Sequence, residues 1–388
     1  MRRTAGLDAG VDVVVVGGGV IGLSSAWRLA QRGAAVTVVD ADPSAAASDV
    51  AAGMLAPVTE ARLGEEPLLA LNRASWARWP GFAAEVAEAA GRPVGYRADG
   101  TLVVALDADD RAVLDELAAR HRLMGLEVTP LRGREARSLE PGLAPGTRAG
   151  LLAASERSVD PPALVAALRL AARAAGATLV EGTVERVVVD GDRATGVTLA
   201  GGTVVPAATV VLAAGCASGS VAGVPEAARP PVRPVKGQIL TLRQDPADPL
   251  VSRTVRGLVR GSSIYLVPRD DGRLVVGATV EERGWDRRAT AGGAYELLRD
   301  ALALVPGLDD AELVAVRTGL RPGSPDDLPM VGPSVVEGLV VATGHHRNGI
   351  LLTPVTAEAV AAAVAGEPVP PEAAPCDPRR FAPAGARS

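Results

Sequence analysis

The sequence predicts an α/β (α+β) fold, and three observations carry that reading. Residues 11–16 are almost pure valine, the pattern of a strand buried on both faces of a parallel sheet. Glycines and a helix-period segment follow at once, and residues 35–39 then read as a second strand, so the chain opens on a βαβ unit. Far downstream, residues 239–242, 263–267 and 273–278 are β-rich around a turn at 270–272, the pattern of an antiparallel sheet.

Residues 1–10 are short and polar and carry Arg2 and Arg3 ahead of the valine run, but that run ends in glycines and not in a cleavage motif, so no leader is expected. In the first helix Ile21, Ala26, Leu29 and Ala30 share a face, and Gly33 stops it. Residues 68–123 are mainly helical, with Trp76, Trp79 and Phe82 concentrated there, and a short strand at 101–106 interrupts them. Asp160 as N-cap and Pro161 as first helical residue open a helix in which Leu164, Ala167, Leu168 and Ala171 repeat at i, i+3, i+4 and i+7. Strands are expected at 178–180, 184–189, 196–199 and 210–213, with Asp190-Gly191 as a hairpin turn. Residues 338–342 return to the buried-strand pattern, and 350–365 form a last helix before a Pro-rich tail. This order predicts a nucleotide-binding domain from 1–80, 150–225 and 325–388, and a discontinuous antiparallel-sheet substrate domain from 81–149 and 226–324.

Composition narrows the function. Forty basic against 45 acidic residues leave a net charge of −5, too little positive field for a nucleic-acid partner. No apolar stretch reaches the roughly 18 to 20 residues that a membrane span needs. Cys216 and Cys376 follow no CxxC spacing and there are three histidines, so no metal site is expected and a reduced, cytoplasmic setting is. Aromatics are 2% of the chain, so Ala, Val and Leu must fill its core. Lys236 is the only lysine among the forty basic residues, a bias that reads as compositional.

The string Gly17-Gly18-Gly19-Val20-Ile21-Gly22 fits G-x-G-x-x-G directly after a buried strand and at a helix start. Gly17 permits the tight turn, Gly19 lets backbone approach a pyrophosphate, and Gly22 lets helix and strand pack closely, while the helix N-terminus offers N–H groups to the phosphates. Asp40 closes the second strand 18 residues after Gly22, where an acid bonds ribose hydroxyls. The fingerprint alone does not separate NAD from FAD. A second strand-to-glycine element at 210–215, with no second complete fingerprint, favours FAD on a Rossmann-like domain.

Six landmarks are more specific: GGGVIGLSSAWRLA (17–30), AAGMLAP (51–57), VKGQIL (235–240), YLVPRDDGRLVVGAT (265–279), GLRPGSPDDLPMVG (319–332) and GHHRNGILLTP (344–354). On these the chain resembles, over nearly its whole length, the glycine oxidases of the thiamine-biosynthesis type, within the FAD-dependent D-amino-acid and sarcosine oxidase family. The resemblance implies that Arg321, set by the Pro322-Gly323 turn, anchors the substrate carboxylate, which a planar fork of donors suits. It implies that the Tyr265 hydroxyl bonds the same carboxylate, a buried core tyrosine being the alternative. Arg347 is expected to face the pocket and lend it positive charge. His346, Arg347, Asn348, Gly349 and Ile350, with the helix N-terminus behind them, are expected to face the flavin ring where reduction places negative charge. Ala52, Gly53, Met54, Val184, Ala214 and Gly215 complete the expected flavin contacts, with a plain core role as the alternative for Met54. Neighbouring His345 and His346 in one loop are not read as metal ligands. Val280 stands where glycine oxidases commonly carry a pocket methionine, which implies extra room beside the substrate Cα. Lys236 reads as structural, with oxygen activation as the alternative. No cysteine lies in 317–332, so the FAD is expected to be non-covalent.

The implied reaction is oxidation of glycine, sarcosine or D-alanine to the imine, with dioxygen giving hydrogen peroxide and water giving keto acid or glyoxylate and ammonia. The implied setting is thiamine thiazole formation by a cytoplasmic homo-oligomer, a tetramer in many relatives. Three alternatives stay open on the residues alone: a dehydrogenase passing electrons to a quinone, an NAD-dependent dehydrogenase, and a flavin-bearing protein without catalysis.

Overall fold

The structure, a computed structural model, describes residues 12–42 and 46–383. The expectations for residues 1–11 and for the last residues of the tail lie outside the described residues. β1 (Val13–Val16), α1 (Val20–Gln31) and β2 (Val36–Asp40) form the βαβ unit, followed by the two-residue β3 (Met54–Leu55) and the long α2 (Glu66–Ala90). A first excursion comprises β4 (Thr101–Ala105), α3 (Ala108–Leu123), β5 (Thr129–Arg132), α4 (Gly133–Leu139) and β6 (Ala149–Ala153). The chain returns through β7 (Arg157–Ser158), α5 (Pro161–Ala174), β8 (Thr178–Glu181), β9 (Val184–Asp190), β10 (Arg193–Leu199), β11 (Val204–Pro206) and β12 (Thr209–Leu212). A second excursion comprises β13 (Arg233–Arg243), β14 (Thr254–Val259), β15 (Ser262–Pro268), β16 (Arg273–Gly277), α6 (Ala291–Leu304) and β17 (Glu312–Gly323). β18 (Met330–Pro333), β19 (Leu339–Thr343) and α7 (Thr353–Ala365) complete the order.

Two sheets organise these elements. The first runs β18-β19-β12-β1-β2-β8, parallel except for β18. Val13 and Val15 pack into the layer of α1, α2, α5 and α7, while Val14 and Val16 pack against the three-stranded sheet of β9, β10 and β11. Both faces of β1 are therefore dry, which is why the strand is valine throughout instead of alternating. The second sheet has eight strands in the order β17-β13-β16-β15-β14-β4-β6-β5, antiparallel except for β14 beside β4. One of its faces packs on α6 through Leu240, Leu242, Leu297, Ala301 and Leu304; the other carries Ile239, Val267 and Val275 toward Ala52.

Both expected domain boundaries around the first excursion fall inside elements. Residues 80 and 81 lie within α2, one continuous helix whose Trp79, Phe82, Ala83 and Val86 belong to the same core as β1 and α1. Pro80 cannot donate to the carbonyl of Trp76, but the Arg157 guanidinium donates to that oxygen at 3.1 Å, so the helix passes through the proline without an orphaned acceptor. Residue 150 lies within β6, a strand of the large sheet. α2 also reaches the end of the chain: the Trp79 indole and the Ser75 hydroxyl both donate to the Leu351 carbonyl, at 2.8 and 2.7 Å.

Because Trp79 is fully buried and Phe82 packs edge-on against it, Trp79→Ala is expected to cost about 3 to 5 kcal/mol of unfolding free energy. Denaturant midpoints at unchanged slope measure this; a midpoint unmoved from wild type would remove α2 from the core of the first sheet.

Candidate active site

The site begins where β1 ends. Gly17 turns the chain at φ 106°, and a Cβ there would lie 2.5 Å from the Ala213 carbonyl oxygen behind β12. A Cβ on Gly22 would lie 1.9 Å from the Gly17 carbonyl oxygen, so only glycine lets α1 start this close to the strand. The Val20 N–H donates to Ser48 Oγ at 3.1 Å, which ties the segment of residues 46–50 to the mouth of α1. Asp40 ends β2 with Oδ2 buried and lacking a hydrogen-bond partner, Arg169 being 3.9 Å away. An acceptor left waiting in a cleft beside a glycine turn fits a ribose hydroxyl, so these residues suit the dinucleotide half of FAD.

From this turn a cavity of about 1260 Å³ runs to the large sheet, beyond the roughly 300 to 1000 Å³ of ordinary small-ligand pockets. Gly17, Gly19, Val20, Ile21 and Asp40 line one end. Ala52, Gly53, Met54, Val184, Ala214, Gly215 and residues 345–351 also line it. Gly22 does not line it and acts beneath, through packing. α7 starts at Thr353, three residues later than expected, because His346–Asn348 wind as a 3-10 turn; the loop, and not Thr353, borders the cavity.

The far end is built on bare backbone. Tyr265 on β15 pairs with Gly277 on β16, and a Cβ at 277 would lie 2.5 Å from the tyrosine hydroxyl. A Cβ on Gly237 of β13 would lie 2.5 Å from both terminal nitrogens of Arg321. The two glycines thus let a phenol and a guanidinium lie flat against the sheet. Arg321 Nη1 donates to the carbonyl oxygens of Thr279 at 3.2 Å and Lys236 at 3.4 Å, and among the described residues no carboxylate stands within ion-pair distance of it. Burial pushes the Tyr265 hydroxyl above its ordinary pKa, against the pull of Arg321, so it remains a donor. A forked cation without a counter-ion beside a protonated phenol is a receptor for a carboxylate.

Arg347 is held by acids. It borders the cavity, but Nε lies 3.2 Å from Glu60 and Nη2 donates to Glu65 at 3.0 Å, so two carboxylates balance its charge. Glu60 also accepts from Arg256 Nη1 at 2.6 Å. Burial opposes charge on Glu60, but Arg256 and Arg347 outweigh it and hold the carboxyl below its usual range. Arg256 pairs directly with Tyr265 across β14 and β15, so this balanced cluster adjoins the carboxylate receptor. Sequence reasoning missed Glu60 and Arg256; their signals were a lone acid after the AAGMLAP landmark and an arginine in an otherwise apolar strand.

The histidines part company. His345 is buried with Nε2 3.0 Å from Thr356 Oγ1, and burial pushes its pKa down to about 3. His346 sits at φ 47° with Nδ1 3.3 Å from Asp327, and burial outweighs that carboxylate to lower its pKa. Among the described residues no group of three or more His, Cys, Asp or Glu is arranged to hold a metal. Val280 lines the cavity, 73% exposed, directly after Thr279, whose carbonyl accepts from Arg321. Lys236 is buried, paired with Glu281, and does not border the cavity. Among the described residues no helix is long and apolar enough to cross a membrane.

The family described as FAD dependent oxidoreductase, DAO, matches residues 12–363. The chain is 36% identical to a glycine oxidase of Geobacillus kaustophilus over 90% of this chain and 92% of that protein. A crystal structure of glycine oxidase from the same organism superposes with a TM-score of 0.84 at 35% identity, covering 94% of this chain and 97% of that one. The bifunctional protein ThiO/ThiG of Synechocystis is 35% identical over 95% of this chain, which spans 54% of that relative's length.

Gly237→Ala is expected to displace the Arg321 guanidinium and weaken acetate binding about tenfold or more while the protein stays yellow, read from the flavin spectrum during titration. An unchanged acetate constant would show that the guanidinium does not need the bare backbone. His345 binds its proton near pH 3 when folded against about 6.5 when unfolded, so the unfolded chain takes up more protons between those values and stability falls as pH drops through them. Well inside that window the loss from this group is about 1.4 kcal/mol per pH unit, and His345→Gln is expected to flatten the slope of stability against pH between 6 and 4. Parallel curves for the two proteins would contradict it.

Proposed function

The chain belongs to the DAO family of FAD-dependent oxidoreductases, and from that premise we propose that it is a glycine oxidase acting on glycine and other small amino acids such as sarcosine and D-alanine. The observation that carries this reading is the unpaired Arg321 guanidinium, laid over Gly237 beside the Tyr265 hydroxyl, at the end of the cavity opposite the dinucleotide turn.

Arg321 and Tyr265 take the substrate carboxylate, which supplies the counter-charge that Arg321 lacks among the described residues. Positioning then supplies most of the rate, since both groups are held before the substrate arrives. The neighbouring Arg256 and Arg347 pair with Glu60, and Arg347 and Arg62 pair with Glu65, so these charges are engaged with one another and not with the substrate. His345, its pKa lowered by burial and its Nε2 turned to Thr356, is not called on as a base, and the reading takes the substrate amine in its unprotonated form. Bound there, FAD would supply a two-electron acceptor for the Cα hydride as the nitrogen lone pair closes the C=N bond. Overall, one amino acid, one dioxygen and one water would give glyoxylate or a keto acid, ammonia and hydrogen peroxide. The bifunctional ThiO/ThiG relatives support a place in thiamine thiazole formation. A cytoplasmic setting and assembly as a homo-oligomer belong to the same reading.

Anaerobic glycine is expected to bleach the yellow protein and air to restore the colour with release of peroxide. Colour that stays bleached in air would point to another acceptor, and no bleaching by any small amino acid would overturn the proposal. Arg321→Ala is expected to keep FAD bound and lower kcat/KM about 10- to 150-fold, the equivalent of roughly 1.5 to 3 kcal/mol for a charge-assisted pair.

A further inference from the structure

Arg321 donates to two main-chain oxygens, and both belong to segments joined by a polar network behind the anchor. Past β16 the chain continues alongside β13, where Lys236 and Glu281 exchange backbone hydrogen bonds at 2.9 Å in both directions. The Lys236 carbonyl oxygen therefore accepts from Glu281 N–H and from Arg321 Nη1 together. Lys236 Nζ donates to Glu281 Oε2 at 3.1 Å, while Gln238 Nε2 and the Thr279 hydroxyl donate to Oε1 at 2.6 and 2.7 Å. Gln238 N–H donates to Thr279 Oγ1 at 2.9 Å, closing the ring on the residue whose carbonyl is the second Arg321 acceptor. On its other side Gln238 exchanges hydrogen bonds with Thr290, the N-cap of α6.

This network has a cost that packing alone would not incur. Lys236 is 1% exposed, and a buried ammonium is unfavourable unless it is held by an anion. An apolar residue would fill the same space on β13, yet the chain places its single lysine there. The ammonium reaches Glu281 Oε2 from the strand at 3.1 Å.

We propose that Lys236 and Glu281 are positioning residues for the carboxylate anchor, clamping the Lys236 and Thr279 carbonyls in the one separation that aims Arg321 at its ligand. The pair touches neither substrate nor flavin and acts through those two oxygens. The inference rests on the reading of Arg321 as carboxylate receptor.

Lys236→Met and Glu281→Gln test it in the flavin-loaded full chain, with two readouts: acetate binding by flavin absorbance, and anaerobic flavin reduction by glycine. The acetate constant and the half-saturating glycine concentration are expected to rise together by about fivefold or more, with the reduction rate at saturation within about threefold of wild type. A residue serving only general stability would lower the melting temperature without that split. If Lys236→Met does not fold, Thr279→Val keeps the carbonyl but removes the hydroxyl from the ring, and the same joint rise is expected. Folded variants with both constants within about twofold of wild type would overturn the inference, as would a tenfold fall in saturating rate at unchanged acetate binding, which would assign Lys236 to the redox step. Should acetate perturb the wild-type spectrum while glycine fails to bleach it, the proposed substrate falls and the acetate constants alone decide this inference.

Discussion

A single close approach governs the site: the Arg321 guanidinium lies on the backbone of Gly237, too near for any side chain at that position. Because the sheet is bare there, the cation is presented flat with its outer edge free, and because Gly277 is bare one strand over, the Tyr265 ring lies beside it. The two glycines cost the strands side-chain packing and conformational entropy, which a sheet concedes where something must come close to its backbone. Everything else about the cavity follows from giving that cation a fixed direction and nothing negative to pair with.

Arginine supplies nearly all the positive charge of this chain, yet the fold neutralises most of it locally. Arg347 and Arg256 meet Glu60, Arg347 meets Glu65, and Lys236 meets Glu281, each by ion pairs. At the low effective dielectric of a closed cleft an unbalanced charge acts far more strongly than at the surface, so an Arg321 without a carboxylate partner among the described residues is well placed for recognition. The partly buried polar ring behind it is partnered at Glu281 and Gln238, the condition under which such networks rigidify a structure instead of weakening it.

The glycine turn, the helix it opens and Asp40 were legible because they depend on residues within one βαβ unit, where steric need and periodicity act locally. The carboxylate receptor was legible only as a motif; nothing in the spacing of Arg321 and Tyr265 told that glycines on two other strands make room for them. The boundary expected at residue 80 falls inside α2, at Pro80. Its missing N–H would end an isolated helix, but Arg157 supplies a donor to the stranded carbonyl from 81 residues away. The start of α7 was placed early for a related reason: residues 346–352 have helical composition but are held by the Leu351 carbonyl to α2 and wound into a tighter turn.

By itself the amino-acid order determined the parallel valine strand, the cofactor turn and the class of chemistry, since these are set by short-range sterics and by side-chain type. Only the tertiary structure decided which charges remain available. Arg347 and Glu65 are 282 positions apart and Arg321 and the Lys236 carbonyl 85, and Coulomb and hydrogen-bond energies depend on distance in space, which folding alone assigns.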